Sequence, residues 1–346
     1  MKILVISTTV YTLPPKGYAG LEALVWQWAT LFHQAGHQVT VVCPKDSWFP
    51  EGIEIIETEL REPEEQSYQR YKDKLLAGEW DVCLDSTWLW HTVLAQMETE
   101  KQLPVIHVYH SDPHFLGSPP PIKYPCLVSL SDAQGRIISQ KWKPNWAFPI
   151  TKTVYNGIDL QLYKPDPAVQ RSDRYLFMGR YTPEKCPLLA IELAKKYNVP
   201  LDLYGDIEII GSQDYLQKVK AECNESQIVF HEGVSREETV NLYQNHKALI
   251  HIVSYLEAFG LVPVEAMACG MPVLVNHRGA FPETIADGKS GFIVDSLEEA
   301  ETIIREDKVS TLKSEDCVAQ ASKFSIEASA RGYLKLFEGV LNGHYW

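Results

Sequence analysis

The stretch Tyr255-Leu256-Glu257-Ala258-Phe259-Gly260-Leu261-Val262-Pro263-Val264-Glu265-Ala266-Met267-Ala268-Cys269-Gly270 carries the densest chemistry in this chain of 346 residues. It follows a β-rich run, Ala248 to Val253, and so leaves the carboxyl end of a strand, where open α/β sheets bind ligands. Pro263 suits the first position of a helix and Gly270 its C-terminal cap. The turn Phe259-Gly260-Leu261 then offers unpaired backbone N–H groups at a helix N-terminus, which with the helix dipole make an anion site. Glu257, in the loop before the helix, and Glu265, in its first turn, are placed to accept hydrogen bonds from sugar hydroxyls flanking a bound phosphate. Either glutamate alone is equally a capping or surface acid. The agreement of strand, turn, proline and cap carries the reading.

Gly17, Tyr18 and Gly20 lie between a strand and a helix, where glycine permits close backbone approach to phosphate or acceptor. They form no GxGxxG pattern, which argues against a nicotinamide enzyme. Glu22 is read as a helix N-terminal acid. His107, His110 and His114 have a spacing that could suggest a metal, but the segment reads as a strand end and a Pro-broken loop, so no metal is expected. Arg136, Lys141, Lys143 and Lys152 interleave with Trp142, Trp146 and Phe148. Such a mix serves weak peripheral membrane contact or a nucleic-acid strand; aromatic packing near a domain crossover is the competing reading. Nothing resembles a Ser-His-Asp triad or a P-loop.

The elements that must position these residues alternate between short β-rich runs and helical periodicity, the pattern of parallel-sheet α/β domains. Lys2 to Ile6 is a strand; Leu21, Leu24, Val25, Trp28, Leu31 and Phe32 mark one helix face; Gly36 caps it, and Val39 to Val42 resumes a strand. Val82-Leu84, Val105-Tyr109 and Cys126-Leu130 read as further strands, and the Glu-rich run from Glu51 to Glu65 as a solvated edge segment. A second series has strands at Tyr175-Met178, Leu201-Tyr204, Ile228-Phe230, Ala248-Val253 and Val273-Val275. Helices at Ile191-Tyr197, Asp214-Cys223 and Glu237-Asn245 lie between them. The expected division is an N-terminal Rossmann-like domain over 1–158, a second over 159–325, and a C-terminal helix and tail, 326–346, returning toward the first.

Apolar residues make up 45% and charged residues 22%, ordinary for a globular protein. With 32 Lys+Arg against 45 Asp+Glu the net charge is -13, which opposes broad nucleic-acid binding. No apolar run is long enough to span a membrane. The 7 cysteines, at 43, 83, 126, 186, 223, 269 and 317, show no metal or disulfide spacing. A cytoplasmic setting is expected, with a peripheral position on the inner face of a membrane left open.

Glu257-x7-Glu265 within EAFGLVPVEAMACGMPV resembles the signature of retaining glycosyltransferase family 4, which has the GT-B fold. Phe177-Met178-Gly179-Arg180-Tyr181-Thr182-Pro183-Glu184-Lys185 resembles that family's "GR…peKG" segment, with Cys186 where Gly is usual. Val154-Tyr155-Asn156-Gly157-Ile158-Asp159 resembles its "pNGID" crossover, and Pro14 to Glu22 its N-terminal glycine loop, with Ala19 replacing one Gly. Gly279-Ala280-Phe281-Pro282-Glu283 and Gly288-Lys289-Ser290-Gly291-Phe292 echo two later segments, Ala280 again standing for Gly.

The resemblance implies two Rossmann-like β/α/β domains facing an interdomain cleft. It also implies a hexosyl transfer from a nucleotide-diphospho-sugar, UDP-glucose or GDP-mannose in type, to a hydroxyl acceptor such as a glycan or lipid-linked saccharide. Arg180 and Lys185 would hold the diphosphate, replacing a metal ion; no other cofactor is implied. Glu265 would hold the ribose and Glu257 the transferred sugar, with Gly20, Gly205, Val234, Phe259, Gly260 and Leu261 completing the donor site. His110 would orient the acceptor or polarise the donor sugar, with Asp112 and His114 as alternatives. A GT-B epimerase or phosphorylase, or a non-catalytic sugar-nucleotide-binding protein, would share the diphosphate site.

Overall fold

The computed structural model describes residues 1–77, 79–99, 102–115, 117–118, 120–142, 151–206 and 211–346. In chain order the strands of the first sheet are β1 (Lys2–Ile6), β2 (Gln38–Pro44), β3 (Glu54–Thr58), β4 (Val82–Asp85), β5 (Val105–Val108), β6 (Leu127–Ser129) and β7 (Thr151–Thr153). Those of the second are β8 (Tyr175–Met178), β9 (Leu201–Gly205), β10 (Ile228–Glu232), β11 (Leu249–His251), β12 (Val273–Asn276) and β13 (Gly291–Val294). The helices are α1 (Gly20–Gln34), α2 (Glu64–Leu76), α3 (His91–Thr99), α4 (Asp132–Trp142), α5 (Pro187–Lys196), α6 (Gln213–Ala221), α7 (Arg236–Asn245), α8 (Leu261–Ala268), α9 (Phe281–Thr284), α10 (Leu297–Arg305), α11 (Ser314–Ala321) and α12 (Ile326–Leu341). The chain forms two compact units, residues 1–157 with 326–346, and residues 158–325.

The first unit is a 7-stranded sheet in the order β3-β2-β1-β4-β5-β6-β7, every pair parallel. β1 is buried on both faces, as a central strand of a helix-covered parallel sheet must be, which explains its unbroken apolar run. The Glu-rich segment becomes the edge strand β3, where exposed carboxylates discourage pairing with another chain. The apolar face of α1 packs on α12: Trp28 Nε1 donates to Ser329 Oγ at 3.1 Å, and Phe32 meets Phe337 edge-on at 5.3 Å.

The second unit is a 6-stranded sheet in the order β10-β9-β8-β11-β12-β13, again parallel throughout. Both units are therefore α/β, with chain order reversing at β1/β4 and at β8/β11, the switch points that leave a gap between diverging loops. Apolar periodicity misses α2 because its stripe is narrow: Tyr68, Tyr71 and Leu75 are buried along an otherwise charged helix. It misses β7 because Thr151-Lys152-Thr153 is a polar edge strand. No described helix is long and apolar enough to cross a membrane.

Candidate active site

The carboxyl ends of β8 and β11, neighbours at the switch point of the second sheet, bring the charged residues together. Beyond β8 the chain turns at Gly179 and Arg180 into a short 3-10 turn, Pro183–Lys185. Gly205, at the end of β9, makes that turn possible: a Cβ there would lie 1.9 Å from Gly179 O. Gly179 N–H donates to Tyr204 O at 3.1 Å, and Tyr181 N–H to Asp206 O at 2.9 Å. Gly205 thus packs against the Arg180 loop. Cys186 closes the 3-10 turn in the left-handed region, φ 54°, which favours glycine and costs another residue about 1 kcal/mol or more.

Ser254 N–H, beyond β11, donates to Glu184 O at 3.0 Å and stitches the two loops together. Lys185 Nζ consequently donates to the Tyr255 hydroxyl, which donates to Glu257 Oε2. The ammonium is 3.5 Å from Glu257 Oε2, and His251 Nε2, at the end of β11, is 3.9 Å from the same oxygen. Burial opposes the charge of Glu257, but the Lys185 ammonium, His251 and the Tyr255 hydroxyl outweigh it and hold its carboxyl well below the usual carboxylate range. Burial, followed by the negative charge of Glu257, pushes the Tyr255 phenol far above its ordinary value. Burial pushes His251 down.

Gly279 holds Glu257 from behind. Its φ is +59°, and a Cβ there would stand 2.0 Å from Glu257 O, while Ala280 N–H donates to that oxygen at 2.9 Å. Arg180 is half-buried and its side chain makes no hydrogen bond or ion pair among the described residues, although it lies near enough to Tyr255 to favour its anion. Its guanidinium remains available to an anionic ligand.

The helix after Glu257 starts earlier than its sequence suggests. α8 opens at Leu261 behind Gly260 at φ 88°, so Pro263 is its third residue and Glu265 lies beyond the first turn. Proline is tolerated there because first-turn N–H groups have no intrahelical partner. Val264 N–H donates to Gly260 O at 3.2 Å, and the N–H groups of Gly260, Leu261 and Val262 make no bond among the described residues. They are the donors expected of an anion site. Gly270 caps the other end at φ +77°, with its N–H on Met267 O and Met271 N–H on Ala266 O, both Schellman bonds. Glu265 is buried, accepts from the Tyr243 hydroxyl at 3.3 Å, and lies within electrostatic reach of Arg236 and Tyr163. Phe259 is buried against Phe324, and Val234 sits half-buried in the loop after β10.

In the first unit, Gly20 opens α1 behind Ala19, whose φ of -133° needs no glycine. Glu22 lies in the first turn of α1, as expected of a helix N-terminal acid; it is buried and accepts from Thr8 Oγ1 at 2.6 Å, burial pushing its pKa up against that bond. His110 follows β5 and stacks on Trp28 at 6.3 Å. Burial pushes its pKa down to about 4, and its Nε2 has no hydrogen-bond partner among the described residues. Asp112 and His114 instead engage each other, with Nδ1 2.7 Å from Oδ1. Of the basic and aromatic stretch, Arg136, Lys141 and Trp142 belong to α4 and Lys152 to β7, while Lys143, Trp146 and Phe148 lie outside the described residues. Trp142 is buried, its Nε1 donating to Gly117 O at 2.9 Å, and Lys152 covers the Trp346 ring at 4.2 Å. These contacts favour packing over a free amphipathic surface. Among the described residues no group of His, Cys, Asp and Glu is arranged to hold a metal ion.

Sequence reasoning gave no role to His251, Tyr255 or Gly279. His251 reads as one more residue of a buried strand, and only the pairing of β8 with β11 brings Tyr255 onto Lys185.

Residues 164–323 match the model of the glycosyl transferases group 1 family. A D-inositol 3-phosphate glycosyltransferase of Frankia alni is 30% identical over 213 residues, covering 54% of this chain and 52% of that protein. The chain spans about half the length, or less, of the curated relatives it matches. The sucrose-phosphate synthase of Thermosynechococcus elongatus superposes with a TM-score of 0.78 at 16% identity, over 99% of both chains. HepE of Anabaena, solved with UDP-glucose, gives 0.77 at 21% identity, over 98% of this chain and 100% of that one. Over residues 164–323 the chain is thus similar to the group 1 glycosyl transferases, and its fold is that of GT-B glycosyltransferases among the solved structures.

Proposed function

With that similarity as the premise, we propose that the protein moves a hexosyl group from a nucleotide-diphospho-sugar to a hydroxyl acceptor, retaining the anomeric configuration and using no metal ion. The observation that carries the reading is the set of cations and N–H donors at one sheet end. Lys185 is held over Tyr255 and Glu257, while the Arg180 side chain and the N–H groups of Gly260, Leu261 and Val262 have no hydrogen-bond partner among the described residues. Arg180, Lys185 and those N–H groups would take the diphosphate and stabilise its charge as it leaves. Glu257 would contact the transferred sugar and Glu265 the ribose. A neutral His110, with Nε2 unpartnered, would orient the reacting hydroxyl.

Front-face displacement balances these roles. The bond from the anomeric carbon to the diphosphate oxygen breaks, the bond to the acceptor oxygen forms on the same face, and the acceptor proton passes to the departing diphosphate. A UDP-glucose type of donor is supported by the ligand of HepE, and GDP-mannose is the competing donor. The free state of all the cysteines supports a reducing, cytoplasmic setting.

The test is thermal stabilisation and slow hydrolysis across UDP-, GDP- and ADP-sugars, with Glu265→Ala as control. A bound donor at a hundred times its Kd should stabilise wild type by about 2.7 kcal/mol and the variant by less. Phosphate-dependent turnover would reassign the protein as a phosphorylase, and sugar inversion without acceptor as an epimerase. Binding with no turnover in acceptor pools would leave a non-catalytic binder.

A further inference from the structure

Among the described residues, Trp48 and Trp88 are the two tryptophans more than half exposed, at 58% and 55%. Both lie in loops leaving the carboxyl edge of the first sheet, Trp48 after β2 and Trp88 after β4, on either side of β1. Neither loop hangs loose. Trp48 N–H donates to Leu13 O at 2.8 Å, Trp26 Nε1 donates to Trp48 O at 2.9 Å, and Leu13 N–H donates to Ser47 Oγ at 2.9 Å. Trp26 meets Trp48 edge-on at 5.6 Å and stacks on Phe49 at 6.4 Å, so the exposed Trp48 ring is braced by its neighbours as the plate of an aromatic shelf. At the second loop, Glu64 accepts from Trp88 N–H at 3.1 Å and from Leu89 N–H at 2.7 Å.

We propose that this shelf, with Trp88 beyond it, is a stacking subsite for a neutral oligosaccharide, the chain that bears the acceptor hydroxyl. A pyranose has an apolar C–H face and a hydroxyl edge, which match a rigid aromatic plate bordered by carboxylates; Asp46 and Glu51 flank Trp48 and are exposed. The charge of the loop selects against anionic partners. Lys45 is committed to Glu59 at 2.8 Å, which leaves the loop net acidic and unsuited to phosphorylated glycans or an anionic bilayer. Strands spaced about 4.8 Å apart put the β2 and β4 loops about 10 Å from each other, the span of linked sugar rings rather than one ring. Backbones pinned before binding lower the ordering cost of such a site.

The inference rests on the transferase reading for its acceptor role, and one sample separates the two. Protein labelled with 5-fluorotryptophan is titrated with neutral gluco-, manno-, galacto- and N-acetylglucosamine hexasaccharides, and separately with phosphatidylcholine vesicles. The Trp48 resonance is assigned by its loss in Trp48→Phe. At least one hexasaccharide should shift that resonance saturably, and Trp48→Ala or Trp88→Ala should weaken its binding about tenfold, equivalent to about 1.4 kcal/mol. Stabilisation by UDP- or GDP-sugar should be unchanged in both variants. Silence to all the hexasaccharides overturns the subsite. So does a response to vesicles, which would make it a membrane contact, or to protein concentration, which would make it a self-association face. Saccharide binding without donor binding would keep the subsite and sink the transferase reading.

Discussion

Lys185→Met tests whether the buried pair with Glu257 is the electrostatic centre of the second unit. At 3.5 Å and an effective dielectric of about 20, the pair attracts by about 5 kcal/mol. The side chains keep 16% and 13% of their exposure, and the Tyr255 hydroxyl and His251 remain near Glu257, so the net loss should be smaller. Breaking a buried pair costs about 3–5 kcal/mol, and the residual exposure puts the expectation at or below the lower end, at about 2–3 kcal/mol. The double variant Lys185→Met/Glu257→Gln removes the stranded charge and should recover about 2 kcal/mol of that loss. All 9 tryptophans lie outside residues 158–325, so their fluorescence follows the first unit alone, while far-UV circular dichroism during urea unfolding follows both. The penalty should appear only in the dichroism transition. It should also shrink between pH 7.5 and pH 5: without Lys185 the folded-state pKa of Glu257 rises above its unfolded value, so protonation then favours the folded state. A penalty under about 0.5 kcal/mol, or one equal at both pH values, would refute the reasoning.

Arg180→Ala, by contrast, removes a side chain with no partner among the described residues; turnover of a bound donor should fall about 10²–10³-fold with an unchanged melting curve. Gly279→Ala places a Cβ against Glu257 O at φ +59°, and should cost more than about 2 kcal/mol and weaken donor binding; Gly288→Ala, at φ +69° in open space, should cost about 1 kcal/mol by urea unfolding. Cys186→Gly relieves a left-handed residue and should raise the unfolding free energy by up to about 1 kcal/mol. Burial opposes ionisation of Asp202, but His246 and Arg174 outweigh it and hold the carboxyl at about 2. Because that folded value is depressed, its stabilisation is full above the unfolded pKa of about 3.9 and is lost as pH falls toward 2. Asp202→Asn should therefore flatten the acid limb of the melting-temperature profile between pH 4 and pH 2.

Much of the architecture is written locally. The unbroken apolar runs of β1 and β8 require strands covered on both faces, the stripe from Leu21 to Phe32 requires a helix, and Gly36 and Gly270 end helices at positive φ, as their side-chain-free backbones allow. Such signals act over one element, so one sequence suffices to read them. Polar or narrow elements such as β7 and α2 escape because their few buried residues acquire meaning only against a neighbour.

At the candidate site, residue types are legible and their partnerships are not. Cys186, Ala19 and Ala280 look alike in sequence, each standing where glycine is usual. Only the fold shows that Cys186 occupies a left-handed turn, while the other two have negative φ. Lys185 and Glu257 are far apart in the chain and meet because β8 pairs with β11 and Ser254 ties their loops. The burial that shifts Glu257, Tyr255 and His110 is likewise a property of that packing. The sequence by itself determined which groups are present and which elements carry them, because periodicity and turn chemistry are short-range. Tertiary structure alone decided their distances, burial and charge, because those depend on residues remote in the chain.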